Sequence, residues 1–311
     1  MLDLLLIVAG AVLTIHGAGI LTDGAAATAR RMGVPQIVVG MTIVGLGTSM
    51  PEFVISFVSA VKGAADMAVG NVVGSNIFNS TLTVGIAALA APIIISRSTV
   101  KKDIPFSVGA ALLLTVLCLD GCISRADSGI LLAAFVAFMA YTMTMARRGA
   151  PDDGGEDGCP PLSVPRCLFF VFAGLCELIV GGNLFVAGAT GMARALNVSD
   201  AVIGLTIVAG GTSLPELATS VVAARKGQSA IAIGNVIGSN VFNILMIVGV
   251  TGIVTPLRIT GITPVDFAVM DVGIVLLWLM SYTKYTVERW EGMTLAAIFF
   301  CYMGWLLHGI M

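Results

Sequence analysis

Long apolar stretches separated by short polar breaks run along the whole chain. Crossing the hydrocarbon core of a bilayer takes about 20 mostly apolar residues per helix. Ten stretches qualify, near 2–27, 36–61, 67–93, 104–121, 128–146, 166–192, 201–224, 229–254, 265–283 and 293–310. A re-entrant hairpin over 104–146 would look similar, and we favour two spans there. The pattern predicts an all-α polytopic membrane protein with ten transmembrane helices.

The chain also contains an internal repeat. Residues 40–85 align without a gap on residues 204–249 at a constant offset of 164, and 25 of the 46 positions are identical. Shared hydrophobicity does not explain why TSxPE and GNVxGSN recur in register. Each half then holds five spans, and because five is an odd number the second half enters the membrane from the opposite side. We therefore predict two inverted five-helix repeats, with the second and seventh helices broken.

The distribution of Lys and Arg predicts the orientation, because these residues are enriched in cytoplasmic loops. With the N-terminus outside, 12 of the 16 basic residues fall inside and 4 fall outside. We expect a multi-pass protein of the cell (plasma) membrane with both termini extracellular. Its halves are residues 1–146 and 166–311, and residues 147–165 form a short cytoplasmic linker.

Composition agrees with a lipid environment. Hydrophobic residues make up 57% of the chain and charged residues 11%, whereas soluble domains have roughly 45–50% and about 25%. The net charge of −2 comes with no basic tract that would bind nucleic acid, and the acidic run at 152–157 lies in the linker. The partners that we expect are the lipid bilayer and small ions, and the oligomeric state stays open.

Two predicted helices are interrupted at corresponding positions. Glycines and Pro51 break the second span beside Glu52, and Pro215 does the same in the seventh span beside Glu216. Proline lacks the N–H that would bond a carbonyl one turn earlier, and opened backbone inside a bilayer must face protein or a water-filled cavity. A simple kink without a ligand is the alternative. Broken helices in inverted repeats point instead to a transport site at the membrane midplane.

The paired glutamates need positive partners. An ionised carboxylate at the bilayer centre costs about 3 kcal/mol on insertion scales. The neighbouring basic residues Lys62, Arg225 and Lys226 lie near helix ends rather than at the depth of Glu52 and Glu216. A bound metal ion or a transported proton is therefore the better partner.

Neutral oxygens accompany the two acids. Ser75 and Asn79 are four residues apart and share one helix face, and Ser239 and Asn243 repeat this arrangement. Two asparagines of the same helices are better explained by hydrogen bonding between helices, namely Asn76 and Asn240. An all-oxygen set suits a hard cation such as Ca²⁺, which takes 6–8 oxygen ligands, whereas soft metals prefer thiolate or imidazole. Na⁺ would accept the same oxygens.

These motifs closely resemble the sodium/calcium exchanger branch of the Ca²⁺/cation antiporter superfamily, whose two repeats carry G(T/S)SxPE and GSNxxN/D. The resemblance covers both repeats directly and, through the ten-span layout, nearly the whole chain. It implies secondary active antiport of Ca²⁺ against Na⁺ by alternating access, in which two helices slide past a core of eight. It also implies an ion-ligand set, with backbone carbonyls at the last two positions: Thr48, Ser49, Glu52, Ser75, Asn79, Thr212, Ser213, Glu216, Ser239, Asn243, Gly45 and Ala209.

The chain departs from the family pattern at one ligand position. Many exchangers have an acid where this sequence has Asn243, so the site is one potential charge poorer and the Na⁺ count or coupling is open. The linker is also too short for the regulatory Ca²⁺-binding modules of animal members. The chain therefore looks like a minimal prokaryotic form, and we expect no cofactor beyond the transported ions.

Other interpretations of the site stay open. A Ca²⁺/H⁺ antiporter would use the same Glu pair, because a carboxylate carries a proton as readily as it releases a metal. An intramembrane hydrolase with an acidic dyad is disfavoured by the absence of GxGD, HExxH and GxSxG elements, and a channel is disfavoured by the single pair of acids. Three ionisable residues within apolar stretches do not recur at the 164 offset: His16, Glu177 and Asp271. His16 is a candidate hydrogen-bonded packing residue, or a gate or proton sensor, and Glu177 is a candidate interfacial or functional acid.

Overall fold

The computed structural model describes residues 2–148, 163–196, 207 and 209–308. Across this part of the chain the fold is almost entirely helical, with four two-residue strands. The elements are α1 (Leu2–Met32), α2 (Gln36–Thr48), α3 (Met50–Val61), α4 (Ala65–Ala90), β1 (Ile93–Ile94), α5 (Ile104–Leu117), β2 (Cys122–Ile123), α6 (Arg125–Arg148), α7 (Val164–Ala195), α8 (Ala209–Thr212), α9 (Leu214–Arg225), α10 (Ser229–Val254), β3 (Leu257–Arg258), α11 (Pro264–Ser281), β4 (Thr286–Val287) and α12 (Arg289–His308).

The length and apolarity of the helices are those of a polytopic membrane protein. Seven of the described helices are long and apolar enough to cross a membrane, or eight if the bent pair of α2 and α3 counts as one span. A π-helical segment, Thr99–Asp103, runs directly into the 14 residues of α5, and this helix is not among those that meet the length and apolarity needed to span a membrane. Residues 197–206 ahead of α8 lie outside the described part, as do residues 149–162 of the linker. The ten-span layout, the two halves and the linker therefore stay predictions.

Some helices extend beyond the apolar stretches predicted from the sequence, because charged residues form their first or last turn. Helix α1 runs on to Met32 through Arg30 and Arg31 in its last turn, where basic side chains interact favourably with the helix dipole. Helix α12 begins at Arg289 rather than near 293, because the Glu291 carboxylate accepts the backbone N–H of Glu288 at 2.8 Å and caps the first turn. Hydrophobicity alone carries no signal for these polar end turns.

The two most buried long helices, α4 and α10, occupy the centre of the bundle. Each contains one wide π-helical segment, Phe78–Thr83 in α4 and Phe242–Val248 in α10. Both segments begin at positions 164 residues apart. Short π segments inside α-helices occur often at functional sites, so the repeat preserves a local irregularity as well as a sequence motif.

The strands connect the two halves of the sequence. Strand β1 pairs antiparallel with β4 through Ile93 opposite Val287, and β2 pairs antiparallel with β3 through Cys122 opposite Arg258. Each pair takes one strand from each half, and β1 and β3 are 164 residues apart, as are β2 and β4. The halves are thereby tied together twice in an equivalent way.

Helices α1 and α7 pack against each other along their length through glycines spaced seven residues apart. A Cβ at Gly17 would lie 2.9 Å from the carbonyl oxygen of Gly174, and one at Gly181 would lie 2.7 Å from the backbone nitrogen of Thr14. Only glycine permits backbones to approach this closely. We call α1 and α7 the helix pair.

Candidate cation-binding site

Both predicted helix breaks are present in the structure. Helices α2 and α3 meet at Ser49 with a bend of 47°, and Ser49 has φ −84° and ψ 7°. Ser213 separates α8 from α9 with nearly the same angles, φ −90° and ψ 7°. Each proline then lies in the first turn of the following helix, where its missing N–H is tolerated. The breaks therefore start two new helices beside the acids.

The glutamates lie in those first helical turns and are fully buried. Glu52 is in the first turn of α3 and Glu216 in the first turn of α9, and both side chains are 0% exposed. Unpaired backbone N–H groups give the N-terminus of a helix a partial positive charge, which favours a carboxylate. The two carboxylates also lie close enough to interact electrostatically.

Hydrogen bonds cross between the two halves of the repeat. The Ser213 hydroxyl donates to Glu52 Oε1 at 3.0 Å, and the Ser49 hydroxyl donates to Glu216 Oε1 at 3.0 Å. Ser75 also donates to Glu52 Oε1, at 3.4 Å. Each acid is thus held by the serine that precedes the other acid, so the predicted pocket is assembled from both halves at once.

Thr48, Ser239 and Gly45 form a second group of oxygens at the first break. The Ser239 hydroxyl donates to the Gly45 carbonyl at 3.2 Å, and Thr48 Oγ1 lies 3.4 Å from Ser239 Oγ. Both hydroxyls also interact with the Glu216 carboxylate. In the other half Thr212 interacts with the Glu52 carboxylate, and Ala209 is the first residue of α8.

Four side chains of the candidate set contain buried polar atoms that lack hydrogen bonds within the described residues. They include Oε2 of both glutamates and both amide atoms of Asn79 and Asn243. All four side chains are 0% exposed. Buried polar groups normally have partners, because an unsatisfied one costs about 1–3 kcal/mol. These atoms have the oxygen chemistry of ligands for a hard cation.

Two further asparagines, Asn71 and Asn235, contact the site and were not predicted from the sequence. Asn235 donates to the backbone carbonyl of Glu216 at 3.2 Å, and Asn71 donates to that of Glu52 at 3.3 Å. Both belong to the repeated GNVxGSN motif, so their recurrence was a signal that could have marked them.

Asn76 and Asn240 were both predicted to form hydrogen bonds between helices. The structure agrees with this prediction for only one of the two. Asn240 donates to Ser80 of α4 at 2.8 Å, which confirms the prediction. Asn76 donates instead to the Val72 carbonyl of its own helix at 2.7 Å, so the prediction was wrong for this residue.

Three other intramembrane ionisable groups bond to partners that the site does not use. His16 Nδ1 and Glu177 Oε2 lie 2.7 Å apart across the helix pair, with His16 mostly exposed. Asp271 accepts the Thr115 hydroxyl at 2.9 Å. His16 is hydrogen-bonded as predicted, but it lies at the surface of the bundle rather than in its interior.

The described residues contain no group of three or more His, Cys, Asp and Glu side chains that could hold a metal ion. The site instead combines two carboxylates with hydroxyl, amide and carbonyl oxygens on two broken helices of a membrane-spanning bundle. This combination is typical of an ion transporter, because buried acids and oxygen-bearing groups on broken helices inside a membrane-spanning bundle mark ion pathways.

The chain belongs to the sodium/calcium exchanger protein family, whose model matches residues 2–144 and 167–308. It is 30% identical to the sodium/calcium exchanger MaX1 of Methanosarcina acetivorans, over 97% of each chain. It is 37% identical to the putative antiporter CaxA of Alkalimonas amylolytica, over 80% of each chain. The family prediction is confirmed, and the protein is a multi-pass cation antiporter.

Solved structures agree with this assignment. The chain superposes on the sodium-calcium exchanger NCX_Mj with a TM-score of 0.85 and 31% identity, over 98% of this chain and 99% of that one. Another structure of the same exchanger, soaked with Na⁺ and Ca²⁺, gives a TM-score of 0.84. The shared fold therefore extends over nearly the whole length of both proteins.

Proposed function

We propose that the protein exchanges Ca²⁺ for Na⁺ across the membrane by alternating access, at a site built on Glu52 and Glu216. The observation that carries this proposal is the pair of fully buried carboxylates, each with one oxygen that lacks a hydrogen bond within the described residues. Two carboxylates neutralise one Ca²⁺, and the backbone N–H groups in the first turns of α3 and α9 favour charged carboxylates there.

The proposed ligands are the twelve positions inferred from the family resemblance. The glutamates supply charge, the hydroxyls and amides supply neutral oxygens, and Gly45 and Ala209 supply backbone carbonyls. Ca²⁺ accepts 6–8 such oxygens in a flexible arrangement, whereas Mg²⁺ requires a tight octahedron. Na⁺ competes for overlapping oxygens, so the site holds one class of cation at a time. Exchange follows from that competition.

We further propose that the protein consists of two inverted five-helix repeats, residues 1–146 and 166–311, joined by the linker 147–165. The equivalent pairings of β1 with β4 and of β2 with β3 support this arrangement, as do the similar helix breaks at Ser49 and Ser213. Both termini face the outside of the plasma membrane in this arrangement, since it places most Lys and Arg in the cytoplasm.

The named relatives support Na⁺ as the driving ion. MaX1 is described as a sodium/calcium exchanger, and NCX_Mj is described as a sodium-calcium exchanger. The alternative is a Ca²⁺/H⁺ antiporter that uses the same acids. CaxA is described only as a putative antiporter, and Asn243 supplies an amide at a position where many exchangers have an acid.

Flux measurements with independent gradients test the proposal. The purified protein is reconstituted into vesicles loaded with Na⁺, and uptake of radioactive Ca²⁺ is followed while Na⁺, K⁺ and pH gradients are varied one at a time. We expect uptake to follow the outward Na⁺ gradient and to be unaffected by K⁺ and pH gradients. Uptake that ignores Na⁺ but follows pH would establish the Ca²⁺/H⁺ alternative.

The glutamates are tested by the same assay. Glu52→Gln and Glu216→Gln each remove a charge with almost no change in volume, so we expect Na⁺-driven flux to disappear while the protein still inserts. The matched control is Glu177→Gln, the same change in the helix pair. Flux retained in both site variants would refute the proposal.

A further inference from the structure

Asn235 joins ligands from the two halves of the site without using its own atoms for the cation. Its side chain is 0% exposed and lies on α10, one turn before Ser239. Its nitrogen donates to the Glu216 carbonyl at 3.2 Å and to Ser220 Oγ at 3.0 Å. Its oxygen accepts the Thr48 hydroxyl at 3.1 Å. The amide therefore contacts the first half through Thr48 and the second half through Glu216.

The orientation of this amide is fixed by its partners. A backbone carbonyl only accepts hydrogen bonds, so the Asn235 atom that faces Glu216 must be the nitrogen. The atom that faces Thr48 is then the oxygen. It accepts the Thr48 hydroxyl at 3.1 Å, a shorter contact than the 3.4 Å from the same hydroxyl to the Gly45 carbonyl. With its proton donated to Asn235, Thr48 Oγ1 keeps its lone pairs for other partners, and Ser239 Oγ lies 3.4 Å away.

The equivalent residue of the first half repeats part of this arrangement. Asn71 donates to the Glu52 carbonyl at 3.3 Å and to Ser56 Oγ at 3.0 Å, at positions 164 residues before those bonded by Asn235. Each asparagine thus attaches a central helix to the first turn of the helix that carries a glutamate. Asn79 and Asn243 differ, because their amide atoms have no hydrogen bond to any described residue.

We infer that Asn235 is a positioning residue of the cation site. It orients the Thr48 hydroxyl so that its oxygen faces the cation, and it fixes the backbone of Glu216. The inference rests on the proposed function, since it assigns a role within that same site. Asn235 acts through Thr48 and Glu216, because both of its donor hydrogens are used and its oxygen accepts the Thr48 hydroxyl. Asn71 performs the Glu52 part of this role in the first half.

A double-mutant cycle tests the inference, because residues that act through one contact have non-additive effects. Equilibrium binding of radioactive Ca²⁺ to the purified full chain in lipid is measured for Asn235→Ala, Thr48→Val and the double variant. We expect each single change to weaken binding about ten-fold, which is the upper end of what the loss of one neutral hydrogen bond does. The double variant should be no more than about two-fold weaker than the weaker-binding single variant.

The matched control is Asn71→Ala in the same cycle. Within the described residues Asn71 bonds to Glu52 and Ser56 rather than to Thr48, so its effect should multiply with that of Thr48→Val. Multiplication in the Asn235 cycle as well would overturn the inference, and so would unchanged Ca²⁺ binding in Thr48→Val. Wild-type protein that binds no Ca²⁺ would instead contradict the proposed function itself.

Loss of folding is separated from loss of positioning by a second variant. Asn235→Ser is too short to reach Thr48 but keeps a polar atom in the buried position, and it replaces Asn235→Ala in the cycle if that protein is not recovered. Thermal unfolding in detergent is recorded for each variant. A drop in unfolding temperature with an unchanged Ca²⁺ dissociation constant would show a purely structural role and would overturn the inference.

Discussion

Different kinds of residue recur between the two halves in the buried centre of the molecule and in the helix pair at its side. In the centre, polar residues recur at the offset of 164, and the asparagines, serines and glutamates of one half contact those of the other. In the helix pair the glycines recur, with Gly10 and Gly17 matched by Gly174 and Gly181, and Arg30 recurs as Arg194. The ionisable residues His16, Asp23 and Glu177 do not recur. The repeat therefore preserves what both halves need, which is a symmetric site and a close backbone contact.

Ionisable residues at the edges of the helix pair have their own partners. His16 pairs with Glu177 at 2.7 Å. Lys226 pairs with Asp23 at 2.7 Å and also donates to the Gly19 carbonyl at 2.8 Å. We therefore expect substitutions in the centre to remove ion binding, and substitutions of these single charges to change it little.

Asn79 and Asn243 should show the largest effect outside the two glutamates. Asn79→Ala and Asn243→Ala each remove one proposed ligand, so we expect the Ca²⁺ dissociation constant to rise at least ten-fold, because even outer partners of metal ligands typically contribute about 10–100-fold. The two effects should be similar, since both side chains are fully buried and occupy the same place in a π segment. Equilibrium Ca²⁺ binding checks this.

The control for Asn79→Ala and Asn243→Ala is Asn76→Ala, which removes an amide that bonds within its own helix. Its effect on Ca²⁺ binding should be clearly smaller. Equal losses in all three variants would mean that the polar character of the central helices, rather than ligation, determines binding.

In the helix pair, we expect substitutions that add side-chain volume to destabilise the protein more than substitutions that remove a polar group. Gly181→Ala places a Cβ 2.7 Å from the Thr14 backbone nitrogen and 2.9 Å from the Gly10 carbonyl oxygen. Overpacking of this kind costs about 1–3 kcal/mol, so we expect a lower unfolding temperature and slower flux, with Ca²⁺ affinity nearly unchanged. Thermal unfolding and flux measured on the same preparation test this.

Gly304→Ala on α12 is the matched control, because a Cβ there meets nothing within 4 Å. Alanine is the better helix former by up to about 1 kcal/mol, so this variant should be as stable as the wild type or slightly more stable. Destabilisation of both variants to the same extent would exclude helix-pair packing as the cause.

The sequence predicted the centre better than the periphery, and the reason is physical. A buried acid next to a proline in an apolar helix is a strong signal, and the breaks at Ser49 and Ser213 lie where Pro51 and Pro215 required them. The crossed bonds from Ser213 to Glu52 and from Ser49 to Glu216 could not be predicted, because they depend on how the two halves meet in space.

The sequence also did not predict the π segments or the hydrogen bonds of Asn71 and Asn235 to the glutamate carbonyls. Phe78–Thr83 and Phe242–Val248 contain no glycine or proline that would mark an irregular helix. Asn71 lies beside the predicted Ser75–Asn79 face, yet hydrophobic periodicity assigns it no partner. Its contact with the Glu52 carbonyl becomes visible only when α3 and α4 pack together. The twelve ligand positions themselves stay a prediction.

The ion pair between Lys226 and Asp23 should matter little. Both side chains are partly exposed, and such pairs are worth about 0–1 kcal/mol. We expect Lys226→Gln to change the flux rate by less than about five-fold and to leave Ca²⁺ affinity unchanged. Lys62→Gln, at the equivalent position of the first half, should have a smaller effect, because Ala187 stands where the match to Asp23 would be. A flux time course compares them.

The contact between His16 and Glu177 should have the smallest effect. His16→Gln retains a hydrogen-bonding group opposite Glu177, so we expect flux within about two-fold of the wild type and an unchanged Na⁺ dependence. A large change in the dependence of flux on pH would instead bring His16 into the transport mechanism.

Equilibrium binding of Ca²⁺ shows whether Glu52 and Glu216 form the cation site. Radioactive Ca²⁺ is titrated onto the wild type, Glu52→Gln, Glu216→Gln and Glu177→Gln in lipid, with and without Na⁺. We predict saturable binding that Na⁺ displaces in the wild type and in Glu177→Gln, and no saturable binding in the two site variants. Saturable, Na⁺-sensitive binding retained by both Glu52→Gln and Glu216→Gln would contradict the account.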